Sequence, residues 1–240
     1  MDLKNNFIGQ IVAEDFRTAV IFENNGIDFC CGGNKTIETA CKEKGKDSQK
    51  IYEAIESLPE NTGKNIDFRS WPLDLLVDYV LKIHHRYAYE KIPVLQGFIQ
   101  KLCDVHGERH PELFQVRELF EASVVALGEH FFKEEQILFP LIKSMAEAEL
   151  TGMPLSQSHC GSVGNPIAVM MNDHDGEGRR FELISQLTSG YTPPDDGCKT
   201  YKATYALLKE FEDDLHTHIH IENNILFPGA IKLEEKLSVN

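Results

Sequence analysis

Most of this chain carries apolar residues at helical spacing, interrupted by segments rich in Gly, Pro and Asn. Beyond Trp71 the helical pattern continues almost without a break, and no segment shows the alternation expected of a β-strand. The pattern therefore predicts an all-α protein whose main part is an antiparallel four-helix bundle. Its four long helices are expected near residues 72–104, 111–147, 165–189 and 198–235.

The first 60 residues predict a smaller helical domain. Apolar positions between Ile11 and Ile21 suit one helix that ends near Asn24-Asn25-Gly26. Thr36 is suited to cap a second helix, and a third is expected from about Ser48 to Leu58. The predicted organisation is a small domain at 1–60, a polar linker at 61–70 and the bundle at 71–240.

Composition narrows the class of protein. The 240 residues are 42% hydrophobic, which is ample for a packed core, and the net charge of −14 argues against a nucleic-acid or anionic-membrane partner. No apolar run reaches the length of a membrane span, and the N-terminus does not resemble a signal peptide. Six cysteines without an export signal are expected to be reduced thiols, so we expect a cytoplasmic protein.

One motif occurs twice: HFFKEEQILFP at 130–140 and HIHIENNILFP at 218–228. His130 matches His218, and Glu134 matches Glu222. Projected at 100° per residue, each Glu lies about 40° from its His, on the apolar side of its helix. Because a buried Glu is costly unless it is paired or binds a metal, the duplicated pair predicts a metal site.

The repeat extends upstream, since His85 precedes His130 by 45 residues and His174 precedes His218 by 44. Each half then supplies one His from a first helix and a His/Glu pair from a second. Four imidazoles and two carboxylates suit two iron ions better than one zinc ion. With both Glu residues bridging and one oxo or hydroxo bridge, each iron has five donors and one open position for a small ligand.

Some assignments around this motif stay open. The helical projection places His84 deeper in the apolar side than His85, whereas the spacing of the repeat favours His85 as the ligand. Asp173 is either an acceptor for a ligand imidazole or a solvated carboxylate. His216 and His220 project away from the core and are expected to be solvated.

Adjacent cysteines, Cys30 and Cys31, precede Gly32-Gly33 in a turn just before a predicted helix. Backbone N–H groups at such a position are expected to lower a thiol pKa and favour thiolate chemistry. Cys41 is either a resolving thiol or a core residue. Cys103, Cys160 and Cys198 receive no role, and His106 and His110, beside a Gly/Pro turn, are expected at the surface.

The two His-x-x-x-Glu motifs and the NDHDGEG segment resemble hemerythrin-type di-iron bundles, and GIDFCCGG resembles the small domain that precedes the bundle in the Repair of Iron Centres family, of the ScdA/YtfE type. The resemblance covers nearly the whole chain. It implies a bundle with two iron ions held by His85, His130, Glu134, His174, His218 and Glu222.

By the same resemblance, the expected function is repair of iron–sulfur clusters damaged by nitrosative or oxidative stress. Nitric oxide or oxygen would be the small ligands and damaged iron–sulfur proteins the clients. Repair would proceed by removal of nitric oxide or by iron delivery, with Cys30 and Cys31 as candidate thiols. The alternatives are a nitric oxide reductase that forms nitrous oxide, and a non-catalytic oxygen or iron sensor or carrier. A homodimer that brings these thiols near another chain's iron also stays open.

Overall fold

A computed structural model describes residues 2–59, 66–152 and 161–238. Throughout these ranges the regular structure is helical, with no strand, so the predicted all-α fold is confirmed. The first half of the predicted linker, at 61–65, and the loop that carries His159 and Cys160, at 153–160, lie outside the described residues. Across the described ranges, no helix is long and apolar enough to cross a membrane.

The N-terminal region contains four short helices. They are α1 (Ile8–Glu14), α2 (Thr18–Asn24), α3 (Ile37–Lys44) and α4 (Ser48–Glu56). The third and fourth match the prediction, and Thr36 caps α3 by accepting a hydrogen bond from the Thr39 backbone N–H.

The first two helices were predicted as one, and this was wrong. Asp15 is extended (φ −144°), and its carboxylate accepts hydrogen bonds from the backbone N–H and the guanidinium of Arg17. Thr18 then donates its hydroxyl to the Asp15 carbonyl. A short acidic side chain that binds the backbone two residues ahead forms a turn, and this turn divides an otherwise continuous apolar pattern.

From Leu73 onward the described residues form four long helical runs, and three of these runs contain a π-helical turn. The first run comprises α5 (Leu73–Tyr79), a π turn (Val80–His85) and α6 (Arg86–His106). The second comprises α7 (Glu112–Lys133), a π turn (Glu134–Leu138) and α8 (Phe139–Thr151). The third is α9 (Gly164–Leu187). The fourth comprises α10 (Lys199–Ile221), a π turn (Glu222–Leu226) and α11 (Phe227–Ser238).

These bounds lie within a few residues of the predicted helices, but no π turn was predicted. A π turn adds a residue to one helical turn and is frequent at functional sites. It also shifts the angular position of everything beyond it, so a projection at a constant 100° per residue fails there. Two of the turns begin at the repeated glutamates, and the third ends at His85.

By packing, the chain forms two compact units. One contains the described residues within 1–76, 145–155 and 219–240, and in it α1 packs against the last π turn, which in turn packs against α11. The other contains residues 77–144 and 156–218, where α7 packs against both α6 and α9. Large apolar side chains such as Phe120, Phe181 and Phe211 fill the interior of this second unit.

Candidate metal centre

Two overlapping groups of His and Glu side chains lie in the interior of the bundle. One group is His85, Glu134, His218 and Glu222; the other is His130, Glu134, His174 and Glu222. Within each group, the potential ligand atoms all lie within 4.8 Å of one another. Both glutamates belong to both groups, whereas each pair of histidines belongs to only one. The six residues predicted as ligands thus lie together, in two groups that share both carboxylates.

The distances match those between ligands on a common ion. Glu134 Oε2 lies 3.2 Å from His85 Nε2 and 3.3 Å from His130 Nε2, and His130 Nε2 lies 3.2 Å from His174 Nε2. Ligands about 2.1 Å from a metal and at right angles to each other are about 3 Å apart. Both glutamates are fully buried, and a buried carboxylate among imidazoles is the donor set that a cation stabilises.

Carboxylates lie behind two of these imidazoles, on the side away from the two glutamates. His85 Nδ1 lies 2.9 Å from Glu135 Oε1, so the ring donates its Nδ1–H to the carboxylate and turns Nε2 towards Glu134. Such a carboxylate–histidine arrangement fixes the tautomer and makes the other nitrogen a better metal ligand. Behind His130, Asp173 Oδ2 lies 3.6 Å from Nδ1 and 2.9 Å from Lys133 Nζ. His130 and then Lys133 lower the pKa of Asp173 to about 2, so it is ionised.

His84 and His85 are both buried and lie at the end of the π turn. The His84 ring stacks on that of His218, with centroids 5.5 Å apart and planes 8° apart, and its Nδ1 lies 3.0 Å from Asp214 Oδ1. His85, by contrast, belongs to the cluster itself, and His84 is absent from the groups found among the described residues. Of the two, His85 therefore lies among the candidate ligands, and His84 lies against the ring of His218.

Two expectations about surface histidines were wrong. His220 is fully buried: its ring lies 5.7 Å from that of Phe16 and 5.6 Å from that of Phe29. Burial lowers the pKa of His220 to about 4, so the ring is neutral. Two aromatic residues from turns of the N-terminal region, Phe16 and Phe29, cover His220, and the periodicity of α10 alone could not reveal this. His106 is also buried, whereas His216 and His110 are partly exposed.

The Cys30-Cys31 turn is organised around Asp28. Its carboxylate accepts hydrogen bonds from the backbone N–H groups of Cys30, Cys31 and Gly32, at 2.8–3.0 Å, and from the Cys30 thiol at 3.2 Å. The two sulfurs are 3.7 Å apart. A Cβ on Gly33 would lie 2.4 Å from the Phe29 carbonyl oxygen, which explains the second glycine of the motif.

The expectation of a lowered thiol pKa in this turn was wrong for Cys30. Its thiol shares a hydrogen bond with Cys31, is buried, and faces the negative charge of Asp28, and all three raise its pKa. The N–H groups expected to stabilise a thiolate bind Asp28 instead. Together the two sulfurs and this carboxylate form a third group with metal-binding spacing. Cys41 is buried in the core, and none of the five described cysteines forms a disulfide.

Sequence reasoning missed the supporting carboxylates Glu135 and Asp214. Glu135 simply follows a ligand in the sequence, and Asp214 precedes His218 by one turn. Nothing in a single sequence separates them from the many solvated acidic residues of this chain. Only the partner histidine, 50 or 130 residues away, identifies each of them.

Four imidazoles and two buried, shared carboxylates inside a helical bundle define a carboxylate-rich metal-binding protein. The comparisons with known proteins agree. The family described as hemerythrin HHE cation binding domain matches residues 76–230, and a domain of unknown function (DUF542, ScdA_N) matches residues 4–59.

Relatives share both regions. The iron-sulfur cluster repair protein YtfE of Yersinia pestis (strain Pestoides F) is 32% identical over 234 residues, which cover 98% of this chain and 100% of the relative. The protein of the same name from Yersinia pseudotuberculosis serotype O:1b (strain IP 31758) is 31% identical over the same shares. The chain therefore belongs to the hemerythrin HHE family, among its two-domain members related to YtfE. The resemblance seen in the sequence is confirmed.

Proposed function

We propose that this chain is a di-iron protein that repairs iron–sulfur clusters damaged by nitrosative or oxidative stress, and that it does so in the cytoplasm. The observation that carries the proposal is the pair of four-residue groups that share Glu134 and Glu222. Two histidines would hold each iron, His85 with His218 and His130 with His174, and both carboxylates would bridge. The names of the YtfE relatives supply the repair of clusters as the purpose.

When bound, two iron ions would supply one-electron redox chemistry and open positions for nitric oxide or oxygen. The chain's own residues prepare the site for that chemistry. Glu135 holds His85 in the tautomer that leaves Nε2 for the metal. Phe131 stacks on His85, with ring centroids 4.2 Å apart, and excludes water from that side.

Between removal of nitric oxide and delivery of iron, a contact between the Cys30-Cys31 turn and the last π turn favours delivery of iron. Asn223 directly follows Glu222, and its side-chain Nδ2 donates a hydrogen bond to the carbonyl oxygen of Cys30 at 3.4 Å. The turn that carries two thiols and Asp28 therefore contacts the π turn that carries one bridging carboxylate. We propose that iron leaves the centre by way of Cys30 and Cys31 towards the damaged client.

The test uses a dehydratase whose [4Fe–4S] cluster has been damaged by nitric oxide, with recovery of its activity and release of nitrous oxide both measured. Glu134→Leu and Glu222→Leu are expected to lose the iron, about two ions per wild-type chain, together with all repair. Glu129→Leu, which removes an exposed carboxylate next to His130, is the matched control and should keep both.

Cys30→Ser/Cys31→Ser should keep the iron but lose repair. Repair that survives in the glutamate variants would contradict the proposal. Catalytic release of nitrous oxide, with repair intact in the cysteine variant, would replace iron delivery by nitric oxide reduction.

A further inference from the structure

The turn at 28–33 brings three potential metal ligands to one side of the chain. Asp28 Oδ1 lies 3.2 Å from Cys30 Sγ, and Cys30 Sγ lies 3.7 Å from Cys31 Sγ. All three ligand atoms lie within 4.8 Å of one another. None of these residues belongs to either His/Glu group, so the cluster is separate from the centre in the bundle.

The spacing of this cluster matches the edges of a tetrahedral coordination shell. Two sulfurs about 2.3 Å from a tetrahedral ion are about 3.8 Å apart, and a sulfur and a carboxylate oxygen at about 2.3 and 2.0 Å are about 3.5 Å apart. The observed separations are 3.7 Å between the sulfurs and 3.2 Å between Cys30 Sγ and Asp28 Oδ1. Adjacent side chains of an extended strand point to opposite sides, so this turn is what brings the two sulfurs together.

Backbone hydrogen bonds hold the carboxylate in place. The N–H groups of Cys30 and Cys31 donate to Asp28 Oδ1, and the Gly32 N–H donates to Oδ2. Carboxylates that bind metals are commonly fixed by hydrogen bonds of this kind. A Cβ on Gly32 would lie 3.1 Å from Asp28 Oδ2, so the glycine leaves room beside that oxygen. The turn therefore presents its ligand atoms without a side chain over them at this position.

Solvent reaches the cluster, and the cluster is negatively charged. Asp28 is exposed and Cys31 is partly exposed, whereas Cys30 is buried. The hydrogen bond with Cys31, burial, and the charge of Asp28 all raise the pKa of the Cys30 thiol. A divalent cation would oppose these effects, because it takes the place of the thiol proton and offsets the charge of the carboxylate.

The donor set decides the class of ion. Two thiolates select zinc or iron over Mg²⁺ and Ca²⁺, which prefer oxygen ligands. The third donor is a carboxylate oxygen, which suits a divalent ion better than Cu⁺. Three protein ligands on a four-coordinate ion leave the fourth position to water or to a ligand from another molecule.

We propose that Asp28, Cys30 and Cys31 bind one thiophilic divalent ion, Zn²⁺ or Fe²⁺, at a site separate from the His/Glu centre. Two metal–sulfur bonds replace two S–H bonds, the two protons pass to the buffer, and nothing is oxidised or reduced. Binding at this site does not require the proposed function. Only the use of the ion as iron in transit to a client rests on the proposed function.

The test uses Co²⁺ as the probe, because a cobalt–thiolate bond gives a charge-transfer band in the near ultraviolet and the His/Glu groups contain no sulfur. The chain with its iron centre loaded and reduced is titrated with Co²⁺ in the absence of oxygen. We expect one thiolate-bound Co²⁺ per chain. Cys30→Ser and Cys31→Ser should each remove most of the band. Asp28→Asn, which keeps an oxygen for the N–H groups of the two cysteines, should weaken binding by at least about tenfold.

Cys198→Ser is the control, since it removes an exposed thiol outside the cluster, and it should leave the band unchanged. Stoichiometric Zn²⁺ or Fe²⁺ should then displace Co²⁺, and the ion that does so is the one the site prefers. Displacement by neither ion would overturn the proposal. So would a wild-type chain without the band, or a band that depends on Cys198, whether or not the other variants fold.

A last variant separates this site from the proposed function. Glu134→Leu is expected to lose the iron of the centre together with repair, but it should keep the cobalt–thiolate band. Loss of the band in a folded Glu134→Leu chain would overturn a separate site. A band that persists while repair is absent from the wild-type chain would contradict the proposed function and leave the metal site standing.

Discussion

The two copies of the His-x-x-x-Glu motif are alike on the side that faces the metal centre and opposite on the outer side. Both glutamates begin a π turn and are fully buried, and both histidines are buried beside them. Two positions after each histidine, however, Phe132 is 63% exposed in the first copy and His220 is 0% exposed in the second. A polar ring is buried where its apolar counterpart is in solvent.

The opposite burial of Phe132 and His220 shows that the inner and outer faces of the two copies meet different structural requirements. A pair of shared carboxylates requires equivalent ligands from two helices, so the inner positions repeat. The outer positions carry no such requirement, and in the second copy they pack against the N-terminal helices. Asn223 binds the Cys30 carbonyl, whereas its counterpart Glu135 binds His85. The second copy thus links the thiol turn to the centre, and the first supplies a carboxylate behind a ligand.

The largest expected effect comes from truncating the two residues that differ in burial, His220 and Phe132. His220→Ala should lower the free energy of unfolding by about 2–4 kcal/mol, because it leaves a cavity between Phe16 and Phe29. Phe132→Ala should change it by no more than about 0.5 kcal/mol, because that ring is mostly in solvent. Urea unfolding of the metal-free chains measures both, and equal losses would show that the outer faces do not differ as described.

Next in size is the effect of the residue that follows each glutamate. Glu135→Gln keeps an oxygen near His85 but removes the charge that fixes its tautomer, so metal affinity should fall about 10- to 100-fold. Asn223→Ala, the matched change in the second copy, should leave metal affinity within about twofold, since its amide binds a backbone carbonyl. Competition with a chelator gives both affinities. The division of roles fails if the Asn223 variant loses as much metal as the Glu135 variant.

Close packing against the second copy predicts a smaller loss at Gly9. A Cβ there would lie 2.0 Å from Asn224 Oδ1 and 2.7 Å from its Cγ, and Asn224 Nδ2 is hydrogen-bonded to His220 Nδ1 at 3.1 Å. Gly9→Ala should therefore cost about 1–3 kcal/mol of stability. Gly97→Ala, in the interior of α6 with open space around it, should instead stabilise by about 0.5–1 kcal/mol. Thermal unfolding distinguishes the two variants. If Gly9→Ala leaves the stability unchanged, the Asn224 side chain can move away from the new Cβ at no cost, and the prediction is wrong.

These particular residues also show how far the sequence could lead. The fold and the convergence of His130, Glu134, His218 and Glu222 were predictable, because each rests on periodicity or on a repeat within the chain. The burial of His220 and the hydrogen bond from His85 to Glu135 were not, because each depends on a neighbour distant in sequence. The burial of His85 was missed for a different reason. The π turn that contains it breaks the 100° increment on which the projection relied, and that projection placed His85 less deeply than His84.

The smallest expected effect concerns the position directly before each glutamate, Lys133 in the first copy and Ile221 in the second. Ile221 is fully buried, whereas Lys133 is partly exposed and forms an ion pair with Asp173 at 2.9 Å. Lys133→Ile makes the first copy resemble the second at this position and should cost at most about 1 kcal/mol, because a partly solvated ion pair contributes little. Chemical unfolding at low and at high salt is the measurement, since screening should already weaken the wild-type pair and narrow the difference. A loss of several kcal/mol that persists at high salt would mean that Lys133 stabilises the protein through the aliphatic part of its side chain. The outer face of the first copy would then be more buried at this position than the exposure of Phe132 indicates.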